Sequence, residues 1–315
     1  MQKRKLGNSG LQIGPLMLGG NVLGWTADEA TSFKLLDRFV AAGLNAIDTA
    51  DVYSRWVPGH KGGESETVLG NWLKVRGGRD KVIIATKVGF DVPQGGLKRE
   101  RILAKVEDSL RRLQTDYIDL YQSHKDDSSA PLEERLAAYE RLVGQGKVRA
   151  IGASNYEAPR LAEALRVSAA KGLHRYESLQ PHYNLYERKG YEAALEPLVL
   201  KEGIGVIPYY SLASGFLTGK YRPDGDFSKS PRGAGIKAML NARGLRILAA
   251  LDEVATRTKS TPAGVALAWL MARPSITAPI ASATSLPQLE QLIAATRLQL
   301  DADAVKRLDE ASAYS

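Results

Sequence analysis

Three ionisable side chains each close a short apolar run that is typical of a buried strand. They are Asp48 after NAI, Lys87 after VIIAT and His124 after DLYQS. The three residues lie 39 and 37 positions apart, about one strand–helix repeat each, so we expect them to meet at one end of a parallel sheet. Tyr53 follows in the loop after Asp48. The spacing therefore predicts a cluster of a carboxylate, a phenol, an ammonium and an imidazole.

This combination of groups is suited to moving a proton onto an oxygen atom. A phenol titrates near pH ~10, too high for an efficient donor at neutral pH, and a neighbouring cation lowers that value. Lys87 can supply the cation, and Asp48 can be its counter-ion. His124 can hydrogen-bond a substrate oxygen through one ring nitrogen. The cluster predicts protonation of a developing alkoxide, which is half of a carbonyl reduction; the hydride of the other half requires a cofactor.

Each of these residues also has a purely structural interpretation. Asp48, like Asp51, could cap a helix, and Tyr53 could be a packed loop aromatic. Lys87 alone could be an exposed lysine after a strand, although the apolar residues before it argue against full exposure. A lone histidine at position 124 is more often structural than catalytic. The placement of all four residues on one predicted rim favours the catalytic interpretation.

Strand-like and helix-like segments alternate along the chain. Eight short apolar runs, bounded by glycine, proline or polar residues, are typical of buried parallel strands. These runs occupy residues 16–20, 45–50, 81–87, 117–124, 148–154, 177–181, 205–210 and 277–282. Amphipathic patterns between them predict helices at residues 26–43, 97–114, 131–147 and 159–172. The alternation predicts an α/β protein with a (β/α)8 TIM-barrel fold.

Several segments extend this minimal barrel. The sequence RKLGNSGLQIG (4–14) predicts an N-terminal β-hairpin that is placed to close the barrel floor. Residues 213–240 form a long glycine-rich connection after the seventh strand, of a kind that is usually functional or mobile. Extra C-terminal helices are predicted at residues 243–259, 261–274 and 301–312. No linker-like change of composition divides residues 1–315, which predicts a single domain.

Composition narrows the functional classes. The net charge is +8, but the basic residues are spread among acidic ones, so we predict no nucleic-acid partner. The chain has no cysteine, which excludes disulfides and thiolate metal ligands, and we predict no metal site. No apolar run approaches the ~18 residues of a membrane span, and the N-terminus lacks the apolar core of a signal peptide. These features predict a cytoplasmic protein with no membrane partner, and no pattern indicates its oligomeric state.

At the level of longer motifs, the chain resembles the aldo-keto reductase family. The motifs are GLNAIDTADVYS, GGESETVLGNWL, VIIATKVG, VEDSLRRLQTDYIDLYQSH, GKVRAIGASNY, LQPHYNL and PYYSLASGFLTGKY, and they span nearly the whole chain. The resemblance implies a (β/α)8 barrel that binds an extended nicotinamide cofactor without a Rossmann domain. It also implies reversible reduction of a small-molecule aldehyde or ketone. The residues that match the family's catalytic set are Asp48, Tyr53, Lys87 and His124, with Tyr53 as the general acid in reduction.

The same resemblance implies cofactor contacts at the remaining strand ends. The residues matched to the nicotinamide carboxamide are Ser154, Asn155 and Gln180. Tyr209 is matched to the residue that stacks on the nicotinamide ring, and Tyr210 is a rival for that role. The residues matched to the diphosphate are Ser211, Leu212, Ala213, Gly215, Leu217, Gly219 and Lys220, in a stretch that could equally be an ordinary flexible loop. The residues matched to the adenosine end are Ala281, Ser282, Ala283, Thr284, Gln288 and Gln291.

The choice of nucleotide depends on one departure from the family pattern. Thr284 stands where relatives often have a basic residue that holds the 2′-phosphate of NADPH. Hydroxyl groups and helix N-terminal amides can still hold a phosphate. Arg232 or Lys237 on the long connection could supply the missing cation. NADP is therefore the predicted cofactor, and NAD is the alternative.

Two tryptophans are the candidate substrate walls. Trp25 follows the first strand, and Trp56 lies with His60 in the insertion at residues 54–64, close to Tyr53. Aromatic walls favour apolar aldehydes or ketones, although each tryptophan could equally pack its own loop. The sequence thus predicts an NADP-dependent oxidoreductase. The alternative is a cofactor-sensing regulatory subunit with slow turnover.

Overall fold

A short antiparallel hairpin precedes the main sheet. Residues 2–223, 225 and 233–314 are described in this computed structural model. The hairpin consists of β1 (Arg4–Lys5) and β2 (Gln12–Ile13), which pair in antiparallel register. Its apolar side chains, among them Leu6 and Ile13, are fully buried and share a cluster with residues that face into the barrel. The hairpin therefore closes the barrel floor, as the sequence predicted.

Eight parallel strands form the barrel. They are β3 (Met17–Gly19), β4 (Ala46–Asp48), β5 (Ile83–Val88), β6 (Ile118–Ser123), β7 (Val148–Ser154), β8 (Tyr176–Gln180), β9 (Gly205–Val206) and β10 (Ile280–Ala281). Their order in the sheet is β10-β3-β4-β5-β6-β7-β8-β9. The sheet closes because the N–H groups of Thr277 and Ile280 donate to the carbonyls of Val206 and Pro208 at 2.8 and 2.9 Å. The predicted (β/α)8 architecture is confirmed.

Helices surround the strands and add a C-terminal set. They are α1 (Glu29–Ala41), α2 (Glu64–Arg76), α3 (Arg99–Leu113), α4 (Leu132–Gly144), α5 (Ala158–Lys171), α6 (Lys189–Glu192), α7 (Leu195–Glu202), α8 (Gly233–Lys237), α9 (Ala242–Arg257), α10 (Pro262–Met271), α11 (Leu286–Ala295) and α12 (Ala302–Ser312). Side chains cap several of them: Asp28 Oδ1 accepts from the N–H of Thr31 at 2.8 Å, and Asp301 Oδ1 from that of Ala304 at 2.7 Å. Such caps satisfy N–H groups that have no partner within the helix.

Helix α2 was not predicted as a helix from the sequence pattern. Its buried apolar residues Val68, Leu69, Trp72 and Leu73 lie at helical spacing, but the buried side also carries Glu66 and Gly70, and Val75 is exposed, so the apolar pattern is weak. A glycine interrupts it because α2 and α3 pack closely: a Cβ at Gly70 would lie 2.0 Å from the carbonyl oxygen of Arg112. The glycine thus sets the distance between the two helices rather than ending the first.

The long connection after β9 is partly ordered in helical turns. Residues Ala213–Thr218 form a 3-10 segment, and α8 follows further along the chain. Residues 224 and 226–232 lie outside the described residues. The described part of this connection therefore contains short helical turns separated by irregular backbone.

The N-terminal hairpin is also bonded to the segment just before β10. Arg4 Nη2 donates to the carbonyl of Met271 at 3.1 Å, and Arg4 Nη1 donates to the carbonyl of Ile276 at 3.3 Å. Both acceptors lie more than 260 residues further along the chain. One arginine thus ties the start of the chain to its last strand–helix repeat.

Two absences within the described ranges bear on function. None of the helices there is both long and apolar enough to cross a membrane. No group of three or more His, Asp or Glu side chains in the same ranges is arranged to hold a metal ion.

Candidate active site

Three of the four residues matched to the catalytic set are in mutual hydrogen-bond contact. Lys87 Nζ lies 2.7 Å from Asp48 Oδ2 and 2.8 Å from the hydroxyl oxygen of Tyr53. The Tyr53 hydroxyl donates to Asp48 Oδ2 at 3.1 Å. Lys87 donates a third bond to the carbonyl of Thr49 at 2.8 Å, so all three ammonium protons have acceptors. Lys87 is 0% exposed and Asp48 is 2% exposed, whereas Tyr53 is only partly buried, so the ion pair lies inside the protein and the phenol lies at its edge.

Strand geometry explains why Asp48 and Lys87 meet. Asp48 is the last residue of β4 and pairs with Ala85 of β5, two positions before Lys87. Side chains alternate along a strand, so Lys87 shares the inward direction of Ala85. Thr86 points the opposite way, where its hydroxyl donates to Glu66 of α2 at 2.6 Å. The side chain of Lys87 therefore points into the barrel and not to solvent.

Tyr53 reaches the triangle through a tight loop. Its N–H donates to the carbonyl of Ala50 at 3.2 Å, and its carbonyl accepts from the N–H of Gly63 at 3.2 Å. Gly63 has φ of 91°, a left-handed conformation that glycine adopts without strain. These bonds hold the loop over the end of β4, with the phenol turned inward.

His124 lies beside the triangle without bonding to it. Its N–H donates to the carbonyl of Val88 at 2.8 Å, which fixes it just beyond the end of β6. The centroid of its ring is 6.2 Å from that of Tyr53 and 4.9 Å from that of Phe90. The side chain is buried, and Nδ1 has no hydrogen-bond partner among the described residues. The structure thus brings all four predicted residues to one rim.

Burial governs the protonation of this group. Burial lowers the pKa of Lys87, and the Asp48 carboxylate opposes that shift. Burial, reinforced by the charge of Asp48, raises the pKa of Tyr53 well above its usual value. Burial, followed by the charge of Lys87, holds the pKa of His124 well below 6.5, so its imidazole is neutral at pH 7. The phenol is therefore a proton donor in this state.

The pKa of Tyr53 corrects one expectation. The sequence predicted that Lys87 would lower the pKa of the phenol. The phenol oxygen contacts the Lys87 ammonium, but its proton is also directed at the Asp48 carboxylate. Burial raises the pKa of the phenol, and the charge of Asp48 and its hydrogen bond to the phenol raise it further, so the contact with Lys87 does not decide the direction.

The residues matched to the carboxamide form a second polar group at the ends of β7 and β8. Ser154 Oγ donates to the carbonyl of Gln180 at 3.0 Å. Asn155 Nδ2 donates to Ser154 Oγ at 3.1 Å and to the carbonyl of His124 at 2.9 Å. Gln180 Nε2 donates to Asp48 Oδ1 at 2.8 Å. This polar group therefore borders the triangle of Asp48, Tyr53 and Lys87 directly.

Tyr209 lies on the same side, and Tyr210 lies further out. The Tyr209 hydroxyl donates to Asn155 Oδ1 at 2.7 Å, and its ring stacks on that of His182 with centroids 5.3 Å apart and an interplanar angle of 20°. Tyr210 is 49% exposed and contacts Tyr209 edge-on. The hydrogen bond to Asn155 connects Tyr209, rather than its neighbour, to the polar group.

The stretch matched to the diphosphate bends through consecutive left-handed residues. Leu212 has φ of −106°, and Ala213, Ser214 and Gly215 then have φ of 47°, 57° and 100°. Gly219 ends the segment with φ of 74°. A change from right-handed to left-handed backbone turns successive N–H groups towards one side, as anion-binding loops require.

The side chains of this stretch divide between core and solvent. Ala213 and Leu217 are buried in the hydrophobic core, so only their backbone could meet a ligand. Ser211 Oγ donates to the carbonyl of Pro208 at 3.1 Å. Lys220 is exposed, with Nζ 4.9 Å above the ring of Tyr221. Lys220 is thus the cation of this stretch that a ligand could reach.

The turn after β10 uses its polar groups internally. Ser282 Oγ donates to Asn21 Oδ1 at 2.6 Å. The N–H and the hydroxyl of Thr284 both donate to Gln288 Oε1, at 2.9 and 3.1 Å. Ala283 is buried. The Gln288 oxygen therefore accepts both of the hydrogen bonds that Thr284 donates.

The remaining residues considered for the adenosine end differ in their exposure to solvent. Ala281 is buried in β10, whereas Gln291 is exposed on α11. Lys237 is exposed at the end of α8. Arg232 lies outside the described residues.

Aromatic rings lie beside Tyr53 and His124. Trp56 contacts Tyr53 with centroids 6.1 Å apart, and Trp25 contacts Trp56 edge-on at 5.4 Å. Phe90 lies against His124 on the other side. Trp56 is 50% exposed and Phe90 is 45% exposed. The two rings therefore form apolar walls that face solvent on both sides of the Tyr53–His124 pair.

Sequence reasoning missed Phe90 and Gln122. Phe90 comes three residues after Lys87, so its position in the loop after a strand carrying a site residue was an available signal. Gln122 comes two residues before His124 and thus shares its direction along β6, yet an uncharged amide gives little warning of function. Its Nε2 lies 3.5 Å from Asp48 Oδ1.

Comparison with known proteins identifies the family. A sequence model described as the aldo/keto reductase family matches residues 15–313. The chain is 33% identical to the uncharacterized oxidoreductase YrpG of Bacillus subtilis, over 98% of this chain and 95% of that protein. It is 32% identical to the protein tas of Escherichia coli, over 98% and 97%, and 34% identical to the aldo-keto reductase YhdN of Bacillus subtilis, over 96% and 89%. This chain is therefore a member of the aldo/keto reductase family of oxidoreductases.

Proposed function

We propose that this protein reduces an aldehyde or ketone to an alcohol with NADPH, and that Tyr53 is the general acid. The observation that carries the proposal is the contact of Tyr53 with the buried Lys87–Asp48 ion pair. Family membership supports the oxidoreductase class and the small-molecule carbonyl substrate. The contact triangle supports the assignment of the acid.

The chain's residues fit a nicotinamide dinucleotide. Ser154, Asn155 and Gln180 gather hydroxyl and amide groups next to the catalytic rim, which suits a carboxamide that both donates and accepts. Gln180 uses its Nε2 for Asp48, so its Oε1 is the atom that can accept from the carboxamide. The left-handed run at residues 213–215 suits a diphosphate. Tyr209 would support the nicotinamide ring.

Each residue of the rim has a distinct task in the reduction. A nicotinamide dinucleotide, when bound, supplies the hydride that the carbonyl carbon takes up. Tyr53 gives its proton to the carbonyl oxygen, and Lys87 stabilises the phenolate that remains. Asp48 keeps Lys87 charged inside the protein. His124, as a neutral imidazole, has one ring N–H that can donate to the same oxygen and orient it.

The aromatic walls favour apolar substrates. Trp25, Trp56 and Phe90 offer hydrophobic surface beside the phenol, and small-molecule sites are commonly lined in this way. Oxidation of an alcohol by the reverse path requires Tyr53 as the base, and its raised pKa places that oxidation at higher pH than the reduction.

A titration followed by an assay tests the proposal. Fluorescence titration with NADPH and with NADH gives the two dissociation constants, and a panel of aromatic and aliphatic carbonyl compounds then gives turnover with the preferred nucleotide. We expect NADPH to bind more tightly, with the exposed Lys237 of the long connection as the cation for its 2′-phosphate. Failure of both nucleotides to bind would overturn the proposal. Tight binding with negligible turnover across the panel would instead favour a cofactor-sensing regulatory subunit.

A further inference from the structure

The two carboxylate oxygens of Asp48 have different partners. Oδ2 accepts from Lys87 and Tyr53, the two groups of the proton-transfer triangle. Oδ1 accepts from Gln180 Nε2 at 2.8 Å and faces Gln122 Nε2 at 3.5 Å. Gln122 is 0% exposed and Gln180 is 2% exposed. The carboxylate is thus held from both ends inside the protein.

The two glutamines also contact each other. Gln180 Nε2 lies 3.5 Å from Gln122 Oε1, so the amide that bonds Asp48 is itself supported by its neighbour. Since a buried amide that lacks partners is costly, this mutual arrangement favours a single orientation of both side chains. Gln122, Gln180 and Asp48 therefore form a connected polar group rather than three independent contacts.

A glycine in the intervening strand makes this contact possible. Gln122 lies on β6 and Gln180 on β8, with β7 between them. Gly152 of β7 is paired with Gln122 on one side and with Ser178 on the other. A Cβ at Gly152 would lie 3.1 Å from Gln122 Cγ and 2.2 Å from Ser178 Oγ. The absence of a side chain there leaves room for Gln122 to lie across β7.

We propose that Gln122 is a positioning residue of the reduction: together with Gln180 it fixes Asp48 Oδ1, and thereby directs Oδ2 at Lys87 and Tyr53. This inference rests on the function proposed above. Rotation of the carboxylate would separate Oδ2 from the ammonium and the phenol, which it now contacts at 2.7 and 3.1 Å. The amide pair also connects the expected carboxamide site at Gln180 to the proton-transfer triangle.

Replacement of Gln122 by Leu tests the inference, because the side chain keeps its approximate size and loses its donor. We expect kcat to fall about tenfold, since a buried hydrogen bond to a charged group is lost, while the dissociation constant of NADPH changes by less than about twofold.

Gln122→Glu supplies a second variant whose response depends on pH. Its carboxyl group can donate to Asp48 only when protonated, so its activity relative to the unsubstituted chain should rise as pH falls. This variant keeps the shape of the side chain and answers the question if Gln122→Leu does not fold.

Tyr121→Phe is the matched control. Tyr121 is the neighbouring residue on β6, is fully buried on the opposite face, and its hydroxyl has no hydrogen-bond partner among the described residues. Its kcat and pH profile should be unchanged. If both Gln122 variants keep the kcat of the unsubstituted chain at every pH, this inference alone is overturned. A complete lack of turnover in the unsubstituted chain would overturn the proposed function as well.

Discussion

Arg55 pairs with Asp91 through both nitrogens of its guanidinium fork, and this pair joins the loop after β4 to the loop after β5. The first loop carries Trp56 and the second carries Phe90. The ion pair therefore sets the separation of the two exposed aromatic walls. Arg55 also lowers the pKa of Asp91, which keeps the pair charged throughout the neutral range.

Replacement of Arg55 by Ala should alter substrate discrimination more than stability. The two side chains are 40% and 16% exposed, and exposed pairs contribute about 0.2–1 kcal/mol. Without the pair, Trp56 and Phe90 can separate, so the preference for a bulky aromatic aldehyde over a small aliphatic one should fall. The measurements are the ratio of the two kcat/KM values and the thermal unfolding midpoint. Exchanging the two charges, with Arg55→Asp and Asp91→Arg, should restore the ratio; an unchanged ratio in Arg55→Ala would contradict this role.

Replacement of Tyr53 by Phe should remove the general acid and leave the rest of the site in place. We expect the rate of reduction to fall roughly 10²-fold or more, the range typical of general acid catalysis. The dissociation constant of NADPH should stay near that of the unsubstituted chain, since no assigned cofactor contact involves Tyr53. Stopped-flow reduction and fluorescence titration provide the two values. Full turnover would exclude Tyr53 from the mechanism.

Replacement of Lys87 by Met should affect stability as well as activity. The change leaves the Asp48 carboxylate buried without its cation, and breaking a buried pair costs about 3–5 kcal/mol. Denaturant unfolding should show that the double change Asp48→Asn with Lys87→Met is less destabilising than Lys87→Met alone. Alcohol oxidation, which needs the phenolate, should also shift to higher pH. Equal destabilisation of the single and double variants would show that the charge is not what matters.

His124 should make the folded state less stable in acid. Its pKa lies well below 6.5 because of burial and of Lys87, whereas the unfolded chain takes up a proton near pH ~6.5. Above that pH, His124 is neutral in both states and costs no unfolding free energy. As the pH falls below it, only the unfolded chain takes up the proton, so the unfolding free energy decreases progressively. His124→Gln should lose less unfolding free energy than the unsubstituted chain between pH 7 and pH 5. Parallel losses in urea titrations at several pH values would argue against this assignment.

Asp51 should act in the opposite direction over an overlapping range. Burial, reinforced by the charge of Glu66, raises its pKa to about 7, whereas an unfolded aspartate titrates near pH ~3.9. The folded state therefore loses stability as the pH rises between these values, and the loss is complete above the folded pKa. Asp51→Asn should raise the thermal unfolding midpoint more at pH 8 than at pH 5. A difference that does not depend on pH would show that the carboxyl group does not titrate in this way.

The barrel, and the position of Asp48, Lys87 and His124 at one of its rims, could be predicted from the sequence because side chains alternate in direction along a strand. A residue that ends an apolar run in one repeat must point to the same rim as its counterpart in the next, so the pairing of Asp48 with Lys87 could be predicted. The hairpin was accessible for a similar reason, since its glycine-containing turn separates two short apolar stretches.

The supporting contacts could not be read in this way. The Gln122–Gln180 contact depends on the glycine at position 152 of the intervening strand β7, and no local sequence pattern predicts it. Arg55 and Asp91 lie in two loops whose separation is known only after β4 and β5 are paired. The direction of the Tyr53 pKa shift depends on the burial of the phenol and on its hydrogen bond to Asp48, which are known only from the folded structure.

The bonds that join Arg4 to the segment before β10 have a consequence for biosynthesis. Strand β3 is the neighbour of β10 in the finished sheet, although the two are separated by most of the chain. Strand β3 and the hairpin cannot acquire this C-terminal partner until residue 281 has been synthesised. The nascent chain thus carries an unpaired edge for most of its translation, and final closure is a late, long-range event.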